Sequence, residues 1–328
     1  MNLKVQPGSD GRLYSLDALR GFDMFWIVGG GAFFASLATG NDILWLDKLA
    51  IQFQHAIWEG FRFYDLIFPL FMFISGTVIP FSILSKVRKG IPKKQLVIKS
   101  LKRMIVLIAL GIIYNGTLST GFAEARYVSI LGQIGIAYFF TVLIVLYAGS
   151  NRSRLLWLLG IIAGNAVMQL FVPVPGIGAG VITPEGCING YIDRMLLPGR
   201  LVYNAEGMMS SGQGFYDALG ILSTISSIGI TLMGTFAGFV LKSASDSGIR
   251  KTTFLAIIGA ALIFAALALN PFYPVIKNCW TSTYTLLAGG ISFMLVALFY
   301  LLIDIWGGRK HFFFFRVIGM NSLFIYLF

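Results

Sequence analysis

The chain has 328 residues, of which 57% are hydrophobic and only 12% charged, and its mean hydropathy is +0.80. A soluble domain carries roughly 25% charged residues, so this composition excludes a water-soluble globule and requires lipid as part of the solvent. The net charge of +11 does not call for nucleic acid, because the lysines and arginines of a membrane protein collect in cytoplasmic loops.

Apolar runs of about 17–25 residues are long enough to cross a bilayer. In chain order the sequence predicts nine of them, at roughly 18–39, 61–85, 101–116, 128–149, 155–174, 218–241, 253–270, 281–303 and 312–328. The expected fold is therefore an all-α polytopic membrane helix bundle forming a single transmembrane domain. Its 38 glycines suit close helix packing. Residues 1–16 are polar, and the first apolar run is too long and too Gly-rich for a cleavable signal peptide. The ninth run reaches Phe328 without a polar stop, which predicts further helices beyond it. With the N-terminus inside, alternate loops place 19 of the 25 lysines and arginines on the inner side, 8 of them between Lys86 and Arg103, and leave 6 outside. That split predicts an inward N-terminus. Two outer segments are then long, about 40–60 and about 175–217, and long loops often carry function.

Several side-chain groups stand out along this path. At the start of the first span, Asp17 and Arg20 share a helix face, as a cap and anchor or as an anion contact; Asp23 lies deeper in the apolar run. His55 precedes the second span, where membrane meets water, and is one of two histidines. Read as helix, the stretch places His55, Glu59 and Arg62 on one stripe, with Asp65 one turn beyond. A carboxylate beside an imidazole orients it and raises its basicity; an interfacial polar belt is the alternative reading. Glu124, Arg126 and Gln133 flank the fourth span, and Asp193, Arg194 and Asp217 occupy the long outer segment; outer-surface salt bridges would use the same residues. Asn321 sits inside the ninth run, where an amide can satisfy a neighbouring helix. Cys187 and Cys279 both map outside, which predicts a disulfide in an oxidising compartment, with two free thiols as the alternative. The basic collar over 86–103 serves as a topology signal with anionic-lipid contact, or as a landing site for a polyanion. No metal-ligand cluster, phosphate-binding glycine loop or Ser-His-Asp elbow is present. Metal catalysis and nucleotide hydrolysis therefore have no support in the sequence.

Nine segments recur in order: Ser15-Leu16-Asp17 through Arg20-Gly21, Gly29-Gly30-Gly31, His55 through Gly60, Asp65 through Pro69 with Phe73 through Gly76, Arg126, Gly190 through Arg194, Asp217 with Gly220-Ile221-Leu222, Lys277-Asn278-Cys279-Trp280, and Gly319 through Ser322. In this arrangement the chain resembles the heparan-alpha-glucosaminide N-acetyltransferase family. The resemblance implies a multi-spanning enzyme that takes acetyl from cytosolic acetyl-CoA and places it on a glucosamine-type amine across the membrane. The family's active-site histidine falls on His55 and its neighbouring aspartate on Asp65, as catalytic base or acetyl carrier with its orienting partner. Arg20, Lys102, Arg103 and Asn321 are the expected acetyl-CoA contacts, and Glu59, Arg126, Asp193 and Asp217 the expected acceptor contacts; no metal is expected. The chain departs from the family pattern at Ile27, Gln133 and Leu219, where the family carries Asn, Arg and Glu. The expected partners are an aminosugar or glycan acceptor and membrane lipid, with no nucleic acid and room for a homo-oligomer. In a bacterium the expected location is the inner membrane, multi-pass, with His55 on the periplasmic side. An O-acetyltransferase of surface glycan, or a transporter using His55 and Asp65 as a proton relay, would use the same residues; the absence of an internal repeat weighs against the transporter.

Overall fold

Lipid offers no hydrogen bonds, so a chain this apolar must satisfy its backbone within helices. The structure is a computed structural model that describes residues 13–38, 44–122, 125–204, 209, 212–244 and 246–327. Among these residues no strand forms, and only isolated antiparallel bridges occur. The helices in chain order are α1 (Tyr14–Phe25), α2 (Gly31–Ala38), α3 (Leu44–Gln52), α4 (Phe63–Thr77), α5 (Ile79–Arg88), α6 (Lys93–Tyr114), α7 (Thr117–Thr120), α8 (Ile130–Tyr147), α9 (Asn151–Phe171), α10 (Ile188–Leu196), α11 (Ile221–Lys242), α12 (Gly248–Leu269), α13 (Ser282–Phe299), α14 (Phe313–Met320) and α15 (Ser322–Leu327). Side-chain oxygens of Ser129, Ser150, Ser247 and Thr281 accept backbone N–H groups at the starts of α8, α9, α12 and α13. These are the residue types expected to cap a helix start.

Among the described residues six segments are long and apolar enough to cross a membrane: Phe63–Arg88, Ile130–Tyr147, Asn151–Phe171, Ile221–Lys242, Gly248–Leu269 and Ser282–Ile305. They make this an integral, multi-pass membrane protein. The other three predicted spans are helical but differ in kind. The first is broken by a π turn over Trp26–Gly30, where Gly29 adopts φ 155, a conformation that glycine alone visits easily. The third, α6, carries Lys93, Lys94, Lys99, Lys102 and Arg103 in its first half. The ninth is interrupted at Asn321, between α14 and α15. The outer segment expected as a loop at 175–217 contains α10.

At the centre, α4 packs on α11 with almost no space between backbones. A Cβ on Gly76 would lie 1.8 Å from the Thr231 carbonyl oxygen, and one on Gly234 would lie 1.9 Å from that of Phe73. Only glycine allows this approach. The segments before α4, before α8, between α10 and α11, and between α12 and α13 gather at one end of the bundle. They are tied there by the bridges Glu59–Ile276, Arg126–Gly199 and Tyr203–Tyr216.

Candidate active site

Residues 53–62 are not helical, so the helical stripe expected for His55, Glu59 and Arg62 does not form. Gly60 instead donates its N–H to the Val275 carbonyl at 2.9 Å, and Glu59 pairs through its backbone with Ile276. His55 reaches Asp65 by another route. Asp65 is the third residue of α4, where a carboxylate can satisfy backbone donors left open at a helix start. Its Oδ2 accepts the N–H of Arg62 at 3.0 Å and of Ala56 at 3.2 Å. Its Oδ1 lies 2.8 Å from His55 Nδ1 and 3.2 Å from Lys277 Nζ. The Arg62 guanidinium closes the turn by donating to the His55 carbonyl at 2.9 Å. One turn further on, Pro69 has no N–H for the Asp65 carbonyl. The Tyr284 hydroxyl of α13 donates to that oxygen instead, at 2.8 Å.

The Asp65 side chain is fully buried, Lys277 is 14% exposed, and the His55 side chain is 51% exposed toward a cavity. A buried carboxylate facing Nδ1 accepts a proton from it, which leaves the lone pair on Nε2. Burial pulls the His55 pKa below the ordinary imidazole value; Asp65 opposes this and Lys277 reinforces it. Burial also lowers the Lys277 pKa, against the pull of Asp65.

His55, Lys277, Arg126, Tyr64 and Tyr203 line a cavity of about 230 Å³. A second cavity, of about 180 Å³, has mostly apolar walls, among them Met24, Leu107 and Ile134, together with Arg103. Ile27, Phe68, Ile130 and Tyr326 are walls of both. The two spaces therefore adjoin, and the cation of α6 borders one while the imidazole borders the other.

Arg126 holds its side of the first cavity rigidly. Its Nε and Nη2 donate to the two carboxylate oxygens of Asp217 at 2.8 and 2.7 Å, and Asp217 is fully buried. Asp193, also fully buried, accepts the N–H of Ile221 at 2.9 Å and of Asp217 at 3.4 Å. Burial pushes its pKa up to about 7, although both N–H groups pull it down. In this structure Asp193 and Asp217 fix the start of α11 and the arginine, and neither lines the cavity.

The remaining candidates lie outside the walls of both cavities. Arg20 pairs with Asp17 at 3.5 Å. Lys102 is exposed on α6 beside Arg103. Asn321 donates to the Val317 carbonyl at 3.0 Å, next to Ser322, which does line the second cavity. Glu59 is exposed, and Glu124 lies outside the described residues. Asp23 is fully buried, and its carboxylate oxygens have no hydrogen-bond partner among the described residues. Two departure positions, Ile27 and Leu219, line the first cavity, while Gln133 is buried and donates to the Ser223 carbonyl at 3.1 Å. The expected disulfide is absent: Cys187 and Cys279 are free thiols, buried in one cluster with Tyr216 and Ile276. The Gly190 N–H donates to the Cys187 sulfur at 3.4 Å. Sequence reasoning did not select Lys277, Tyr64 or Tyr203 as site residues. The segment Lys277-Asn278-Cys279-Trp280 was the one available signal for the lysine.

The human heparan-alpha-glucosaminide N-acetyltransferase is 30% identical over 369 aligned positions, covering 96% of this chain and 52% of the human protein. The mouse heparan-alpha-glucosaminide N-acetyltransferase is 26% identical over 375 positions, covering 99% and 54%. The chain belongs to the heparan-alpha-glucosaminide N-acetyltransferase family. It spans about half the length of the curated relatives it matches, and no family model matches it. For this family member, Arg126→Met would strand the Asp217 carboxylate in the interior. Removing one partner of a buried pair costs about 3–5 kcal/mol. Thermal unfolding in detergent should show a marked drop for Arg126→Met and a partial return in Arg126→Met/Asp217→Leu; equal stability of wild type and single variant would contradict the pairing.

Proposed function

We propose that the protein is a membrane-embedded acetyltransferase that moves acetyl from cytosolic acetyl-CoA to the amine of a glucosamine-type sugar outside the cytoplasm. The observation that carries this reading is the pair of adjoining cavities between Arg103 and His55. CoA is a polyanion on a thin, largely apolar pantetheine arm. A cation at one end of an apolar passage suits its phosphates, and a half-exposed imidazole at the other suits its thioester. Arg20, Lys102 and Asn321 would extend the phosphate side, and Arg126, Glu59, Asp193 and Asp217 would frame or support the acceptor side. The activity for which the human and mouse relatives are named, heparan-alpha-glucosaminide N-acetyltransferase, supports both the acetyl transfer and the aminosugar.

Asp65 holds Nδ1–H, so Nε2 performs the chemistry. Amine attack on a thioester requires removal of a proton from nitrogen. Nε2 takes that proton directly, or takes the acetyl itself and passes it on. A histidine pKa held down by burial keeps the ring neutral, and so able to act, at pH values where free imidazole is already partly charged.

The sidedness rests on the 19-to-6 split of basic residues and on the clustering of the four expected outer segments at one end of the bundle. A cysteine placed at position 48 should react with a membrane-impermeant thiol label on intact cells, and one at position 89 should not; the opposite pattern would overturn the topology.

Purified protein given radiolabelled acetyl-CoA and glucosamine should release CoA and yield N-acetylated sugar. His55→Ala should lower that rate by about 10²–10⁴-fold. The acid limb of the wild-type kcat/KM profile should fall below about 6.5, the unperturbed histidine value. Acetyl found only on hydroxyls would replace this reading with O-transfer, and a wild type that makes no acetylated product would end it.

A further inference from the structure

Lys277 has no role in the chemistry described so far, yet its ammonium sits inside the His55–Asp65 pair. Nζ is 2.7 Å from Nδ1, 3.3 Å from Nε2 and 3.2 Å from Asp65 Oδ1. An imidazole nitrogen carries either one proton or one lone pair, so Nδ1 cannot serve both neighbours. The carboxylate, fully buried and acceptor-only, holds the Nδ1 proton. Lysine, a donor with three N–H groups, then finds no acceptor at Nδ1. Among the described residues the oxygen it pairs with is Asp65 Oδ1, which uses one N–H. A second N–H faces the Nε2 lone pair at 3.3 Å, and the third is left in the wall of the first cavity.

The loop around Lys277 is built to keep it there. The Lys277 carbonyl accepts the Trp280 N–H at 2.9 Å. Asn278 donates to the Ile57 carbonyl at 3.2 Å and to the Tyr216 hydroxyl at 3.1 Å. Ile276 donates its N–H to Thr281 Oγ1 at 3.0 Å and bridges to Glu59. A flexible side chain on a fixed backbone, with one donor left over next to the reacting nitrogen, is the arrangement needed where negative charge develops on a carbonyl oxygen.

We propose that Lys277 is a catalytic residue that binds the thioester carbonyl oxygen and stabilises the oxyanion formed on it. The inference rests on the acetyl-transfer reading. The amine nitrogen attacks the carbonyl carbon while one of its protons passes to Nε2, and the C=O electron pair moves to oxygen, facing Nζ. Collapse restores C=O and breaks the C–S bond. The sulfur leaves with the bonding pair and takes the proton from Nε2, giving an amide and a thiol with no net redox change. If Nε2 itself first accepts the acetyl, both tetrahedral intermediates place their oxygen at the same ammonium.

The test compares Lys277→Met and Lys277→Arg with wild type, each assayed in detergent well below its own melting transition. Lys277→Met should lose about 10²–10³-fold in kcat, the usual effect of removing one oxyanion donor. Its KM for acetyl-CoA should stay within about threefold, because the contact forms mainly in the transition state. Lys277→Arg keeps a cation and should recover at least about tenfold over Lys277→Met. Arginine as inactive as methionine, a loss confined to KM, or near-normal kcat in Lys277→Met would each overturn the proposal.

A second readout needs no activity. The chain has two histidines, His55 and His311, so labelled-histidine NMR resolves them, with His311→Gln as the assignment control. Removing a cation beside the ring should move the His55 titration to higher pH in Lys277→Met, and an unmoved titration would refute the placement of the ammonium. If wild type releases no CoA while the titration moves as expected, the acetyl-transfer reading has failed, and the oxyanion role fails with it, while the Lys277–His55 contact stands.

Discussion

The arrangement depends on where the negative charge of Asp65 resides. A fully buried carboxylate is tolerated only when its charge is shared among donors, and here four groups share it: two backbone N–H groups, an imidazole and an ammonium. That one requirement starts α4, folds residues 55–62 back over it, fixes the imidazole tautomer and draws in the loop carrying Lys277. The proline four residues later opens the carbonyl of the same residue to Tyr284, so α13 is tied to the turn as well. Structure and chemistry share the same oxygens, and a change at Asp65 would disturb both.

Around this centre the bundle leaves space where chemistry would need it. The backbones of α4 and α11 touch through glycines, which makes the middle rigid. By contrast α1 is interrupted by a π turn, and α14 and α15 are separated by Asn321. Irregular backbone at membrane depth occurs where it is buried in protein or borders a cavity. Residues from both interrupted regions, Ile27, Ser322 and Tyr326, wall the two adjoining spaces. The apolar walls between Arg103 and His55 suit a thin chain better than a solvated ion.

Much of this was legible in the amino-acid order, and the rest was hidden for identifiable reasons. Composition and run length set the all-helical membrane class, and all nine apolar runs contain helix. The breaks at Gly29 and Asn321 are changes of backbone conformation, which hydropathy does not register. The pairing of His55 with Asp65 was anticipated from proximity, but the supposed helical stripe was wrong, because the carboxylate caps a helix that begins after His55. Glu59 followed from the same mistaken stripe and pairs through its backbone alone. Asp193 and Asp217 read as loop acids because nothing local reveals that they hold backbone N–H groups and Arg126. Lys277 was hidden by distance, lying 222 positions from the ring it touches. The two cysteines, counted as a pair by compartment, meet as free thiols.

The most direct test of the account is a structure of the protein bound to an acetyl-CoA analogue in which a methylene replaces the thioester sulfur. The account predicts the acetyl group in the first cavity facing His55 Nε2, with its carbonyl oxygen toward Lys277 and the pantetheine chain between Ile27, Phe68, Ile130 and Tyr326. An acyl end resting away from His55, or a pantetheine arm that bypasses those four residues, would contradict it.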